Sequence, residues 1–95
     1  MTPMTHLPWG DDPIVEWDEE NEEHLWAHGV STWEIQEILD EGEYEGKRHP
    51  KWRKGGKYEE RFVLRGRTNG GRALVILLDL IAPERLRPLT AWDDK

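Results

Sequence analysis

An α+β fold is predicted, with two short N-terminal helices packed on an antiparallel sheet of about four strands. Three features of the chain predict it. Two capped helix signals follow one another between residues 18 and 42, apolar runs of strand length fill residues 59 to 92, and Asn69-Gly70-Gly71 supplies a turn between two of those runs. The 95 residues suffice for one domain with one small core, and at this size only about 60–70% of the unfolded surface is buried.

The elements follow in order. Residues 1 to 13 (MTPMTHLPWGDDP) hold three prolines and read as an extended lead-in, with Trp9 the residue able to pin it. Ile14 to Trp17 is a short strand. Asp18 caps a helix from about Glu19 to Ala27, whose Glu-rich first turn suits the positive end of the helix dipole, and Gly29 stops it. Ser31-Thr32-Trp33-Glu34 reads as a capping box opening a second helix; Ile35, Ile38 and Leu39 form its buried stripe and Gly42 ends it. Residues 46 to 57 (GKRHPKWRKGGK) read as a mobile Gly- and Lys-rich loop or loose hairpin. From Glu59 to Thr68 the pattern alternates, with Arg61, Val63, Arg65 and Arg67 on one face and Phe62, Leu64 and Gly66 on the other. Ala73 to Leu78 is apolar on both faces, as a central strand requires. Arg85 to Trp92 is a closing strand that Pro88 confines to a sheet edge or a bulge.

Charge is segregated along this framework. Residues 1 to 42 carry twelve acidic side chains and no Lys or Arg, whereas ten of the thirteen basic residues fall between Lys47 and Arg72. Such a chain can attract an anion on one side and a basic partner on the other, despite its net charge of −7. The absence of cysteine removes disulfides, thiolate zinc sites and a thiol nucleophile, and fits a cytoplasmic location. No apolar stretch approaches the roughly 20 residues that span a bilayer, and no membrane association is expected.

Trp17-Asp18-Glu19-Glu20-Asn21, His24-Leu25 and His28-Gly29-Val30-Ser31, followed by Glu60-Arg61-Phe62, Gly66-Arg67-Thr68, Gly71-Arg72 and the apolar Leu74 to Leu78, resemble in that order the BrnT-like toxins. The similarity covers residues 14 to 92, leaving 93 to 95 as a tail. It implies a RelE-like fold and the toxin of a type II toxin-antitoxin system: a metal-independent endoribonuclease, neutralised by a small antitoxin of ribbon-helix-helix type through which alone it would meet DNA. The chain departs from the family in lacking basic residues in its first helix and in reading Thr90-Ala91-Trp92 where members have Ser-Ala-Arg, and with Lys95 as its last residue the family's C-terminal helix is not expected.

Such cleavage uses the 2′-hydroxyl of the RNA as nucleophile, so the protein supplies proton transfer and cations for the phosphorane. Arg61, Arg65 and Arg67 share one strand face, along which alternate residues stand roughly 7 Å apart, and can either contact phosphates or pair across strands with Glu59, Asp79 or Glu84. His28 matches the family histidine and can transfer protons or close the helix. His49, between Arg48 and Lys51, is a candidate neutral base or an idle loop histidine. Lys47, Arg48, Lys51, Arg53 and Lys54 form an RNA-binding candidate around Trp52, which either stacks on a base or tethers the loop. His24 and His28 with Glu20 have zinc-like spacing but lack a second ligand cluster, so neither metal nor cofactor is expected. Trp17, Trp26, Trp33 and Trp92 lie on or beside regular elements, where each can anchor a core or an interface. A catalytically inactive, partner-binding protein of the same fold is the alternative reading, favoured by Trp92 and by the acidic pI of about 5.0.

Overall fold

A computed structural model describes residues 7–10, 12–41 and 43–95. Along the chain run β1 (Ile14–Val15), α1 (Glu19–Ala27), α2 (Thr32–Glu41), β2 (Tyr44–Arg48), β3 (Arg61–Arg67), β4 (Ala73–Ala82) and β5 (Arg85–Asp93). The strands form one sheet in the order β1-β5-β4-β3-β2. The α+β class holds, with two corrections. The sheet has five strands, and it is mixed, because β1 runs parallel to β5 while the other pairs are antiparallel. The helices accordingly follow a strand and do not lead the fold.

The fifth strand is β2, a segment whose end the composition assigned to a loop. Gly46 misled for a physical reason: a Cβ there would lie 2.7 Å from the Leu7 side chain and 2.8 Å from that of Leu64. This glycine permits close packing and marks no turn. Pro88 sits beside a bulge, where the register between β4 and β5 shifts at Leu77/Leu78. Proline lacks the N–H that a regular ladder would need there, so the extra residue is placed where the ladder is already broken.

Asp18 caps α1 as expected, and Asn21 completes a capping box with it by accepting from the Asp18 N–H at 2.8 Å. At α2 the carboxylate half of the predicted box forms, the Ser31 N–H donating to Glu34 at 3.0 Å. Gly29 has φ 71°, the left-handed conformation that ends a helix cheaply only at glycine. The Gly42 stop and residues 1 to 6 and 11 of the lead-in lie outside the described residues.

Both helices cover one face of the sheet. Leu25, Ile35, Ile38 and Leu39 meet Phe62, Leu64, Leu74, Ile76, Leu78 and Leu86 in a single core. Trp9 is fully buried in it, edge-on to Phe62 at 5.1 Å, with its indole N–H donating to the Tyr44 hydroxyl at 2.9 Å. Strand alternation then sends Arg61, Val63, Arg65 and Arg67 to the opposite, helix-free face. Trp17 is partly buried against this core, whereas Trp26 is 74% exposed, Trp33 62% and Trp92 41%. Among the described residues, no helix is long and apolar enough to cross a membrane.

Candidate functional site

Cross-strand register decides what the three arginines of β3 can do. Arg61 stands opposite Asp79 and grips it through Nε at 2.8 Å and Nη2 at 3.1 Å. This fork-to-carboxylate geometry raises the affinity of Arg61 for its proton and fixes the guanidinium plane, leaving Nη1 outside the pair. Arg65 donates to Asp94 at 2.6 Å, and Arg67 to the Gly71 carbonyl at 3.3 Å. Arg65 and Arg67 line a groove of about 710 Å³ that they share with Glu41, Glu43, Glu45 and Asp94. Four carboxylates beside two guanidiniums make poor surroundings for phosphate. The continuous polyanion track read from the alternation is therefore divided: Arg65 and Arg67 belong to a mixed-charge groove, and Arg61 stands about 13 Å from Arg65 along the strand.

At the Arg61 end the loop after β2 folds back. The His49 N–H donates to the Arg61 carbonyl at 2.9 Å, and the His49 ring stacks on Tyr58, with centroids 4.1 Å apart and planes 11° from parallel. The Arg61 guanidinium lies 5.4 Å from the same Tyr58 ring. Partial burial, then the charges of Arg61 and Lys51, lower the His49 pKa below its ordinary 6.5, so the ring is neutral at pH 7. Its Nδ1 accepts from the Lys51 backbone N–H at 3.1 Å. A neutral imidazole that accepts at Nδ1 carries its proton on Nε2. His49 thus presents a donor to solvent, whereas the sequence suggested a base.

His28 is the exposed C-cap of α1, where its backbone N–H donates to the Leu25 carbonyl at 3.0 Å and the Gly29 N–H donates to that of Trp26 at 2.9 Å. It belongs to the helical layer and so is not brought together with Arg61, Arg65 and Arg67 on the other face. Among the described residues no group of three or more His, Asp or Glu side chains is placed to hold a metal ion.

Lys47, Lys51, Arg53 and Lys54 have no carboxylate partner among the described residues. The loop that carries them is tied together internally. The Trp52 indole N–H donates to the Glu59 carbonyl at 3.0 Å, the Arg48 guanidinium covers the Trp52 ring at 4.1 Å, and the Gly55 N–H donates to the Glu59 carboxylate at 2.9 Å. With its N–H committed and one face covered, Trp52 is arranged as a tether. Trp52→Ala is expected to lower the melting temperature while leaving RNA affinity little changed; unchanged melting with lost affinity would restore the base-stacking role.

Tyr58 was missed because nothing in its spacing singles it out; only the folded loop puts it under His49. Arg72 was noted only as part of Gly71-Arg72. The structure makes it a clamp, with Nη1 donating to the Gly29 carbonyl at 3.0 Å and to both Glu34 oxygens at 2.9 and 3.0 Å, and Nε donating to Asp93 at 2.8 Å. Comparison with family models, curated proteins and solved structures finds no match to this chain.

Proposed function

We propose that the chain is an RNA-cleaving toxin of the BrnT-like, RelE-fold kind, with its site at the His49–Arg61 end of the sheet. The observation that carries this reading is the neutral His49 with Nε2–H free to donate, beside Arg61 and at the root of a loop whose lysines are unpaired. Lys47, Lys51, Arg53 and Lys54 hold the RNA backbone. Arg61 Nη1 and His49 Nε2 donate to the non-bridging oxygens of the phosphate under attack. The 2′-oxygen bonds to phosphorus as its proton passes to water, since Nδ1 of His49 is occupied, and the bond from phosphorus to the 5′-oxygen breaks, leaving a 2′,3′-cyclic phosphate and a 5′-hydroxyl that takes its proton from water. A small antitoxin controls the activity, and DNA is contacted only through it.

The purified chain is expected to cut single-stranded RNA in the presence of a chelator, and Arg61→Ala to lose that activity. Equal RNA levels with the wild-type chain, the variant and buffer would overturn the reading. The site also predicts a linked titration. By NMR the His49 ring should titrate below pH 6.5, and the Lys51 amide signal should move with the same midpoint, because protonation of Nδ1 breaks their bond. His49 has a depressed pKa in the fold, so its contribution to stability is complete above the unfolded value and is lost as pH falls through the folded one.

A second reading, a partner-binding protein without catalysis, is favoured by a specific observation: Arg61, Arg65 and Arg67 each already have an internal partner. It predicts a stable complex with a small neighbouring protein on size exclusion and no RNA cleavage.

A further inference from the structure

The helical layer carries a feature that RNA chemistry does not use. Trp26 and Trp33 are the two most exposed large apolar side chains among the described residues, and they stand at adjoining grooves. The first groove, about 530 Å³, is lined by Trp26, Ala27, Val30, Glu19, Glu22 and Glu23. The second, about 450 Å³, is lined by Trp17, Trp33, Glu37, Asp40 and Glu41. Thr32 lines both, so the two grooves meet.

Exposed indoles are costly. Each offers roughly 150–250 Å² for burial, and exposed apolar surface rimmed by charge marks an interaction site. The rim has one sign. Glu19, Glu22, Glu23 and Glu41 make no ion pair among the described residues, and no Lys or Arg occurs before Lys47. Acids of this layer that do have cationic partners point elsewhere: Asp18 to Arg87, Glu34 to Arg72 and Glu16 to Arg85.

We propose that the Trp26–Trp33 face docks an amphipathic segment of a partner protein, with apolar residues against the indoles and Lys or Arg against the glutamates. Charge complementarity selects this occupant. An acidic or neutral segment would leave the carboxylates facing one another, whereas basic side chains pair with them and pack on the rings as cations. Docking lies on the opposite side of the sheet from His49 and Arg61, and holds whether or not the chain cuts RNA.

The probe is a synthetic helical peptide of Lys and Leu in amphipathic order, compared with a scrambled peptide of identical composition. Calorimetry should show the amphipathic peptide binding at least about tenfold more tightly than the scrambled one, with Trp26→Ala and Trp33→Ala each weakening it by about tenfold or more. Both side chains are exposed, so melting curves should confirm that the variants stay folded, and a Glu22→Lys, Glu23→Lys pair provides a second route to the same loss. Equal binding of both peptides, or binding indifferent to the tryptophans, overturns the proposal. So does concentration-dependent dimerisation of the chain alone that Trp26→Ala abolishes, which would make a second copy the occupant.

Discussion

His49→Ala is expected to slow RNA cleavage by about 10²- to 10³-fold in single-turnover assays, the size of effect seen when one donor to a developing oxyanion is removed. The ring meets the fold chiefly by stacking on Tyr58 and by accepting from the Lys51 N–H. Its loss should therefore loosen the loop more than the core, and the melting temperature should move little. His49→Gln, which keeps an N–H donor without a titrating ring, should recover part of the rate. The comparison separates donation from base catalysis: a glutamine as inactive as the alanine would show that proton abstraction was the role, and would reject the donor assignment. Wild-type rates from His49→Ala would place the chemistry elsewhere.

Arg72→Ala is expected to cost about 2–3 kcal/mol of stability, because it leaves a buried carboxylate without its counter-charge. Glu34 is 7% exposed, and without Arg72 its one remaining bond is to the Ser31 N–H. For a domain of this size the loss corresponds to a fall of roughly 10–20 °C in melting temperature. The guanidinium also joins three parts of the fold: the α1–α2 turn through the Gly29 carbonyl, α2 through Glu34, and the end of β5 through Asp93. Hydrogen bonding to Arg72 holds the Asp93 carboxyl below its ordinary pKa of 3.8. That contribution is present above the unfolded value and is lost as pH falls through the folded one, so the clamp weakens in acid. Adding Glu34→Gln to Arg72→Ala should restore part of the stability by removing the orphaned charge. A single variant that melts within a degree or two of wild type would mean that Glu34 finds water or another partner, and the clamp would be dismissed.

The glutamate-rich helices and Arg61 come to lie on opposite faces of one sheet, and this links the two proposals. Anything recruited by the helices is held away from the His49–Arg61 end, so a partner on the helical face would leave the RNA side open. Control of cleavage by such a partner would then have to act through the loop or through a second contact.

The sequence by itself determined the parts that depend on neighbours along the chain. Asp18 at its cap, Gly29 at its stop, the Ile35, Ile38 and Leu39 stripe, the alternation through β3 and the central β4 are each written within a few residues, because helix and strand periods act locally. The face that Arg61, Arg65 and Arg67 share was legible for the same reason. Pairing of Arg61 with Asp79 was one of two outcomes the pattern left open, whereas Asp94 reaches Arg65 only because the fold brings the end of the chain beside β3. Gly46 looked like a loop until Leu7 and Leu64 pressed against it, and β1 found β5 some seventy positions away. The same limit hid the exposure of Trp26 and Trp33 and the Tyr58 under His49. Burial, counter-charge and tautomer are set by groups distant in sequence, and only the folded chain brings those groups within contact distance.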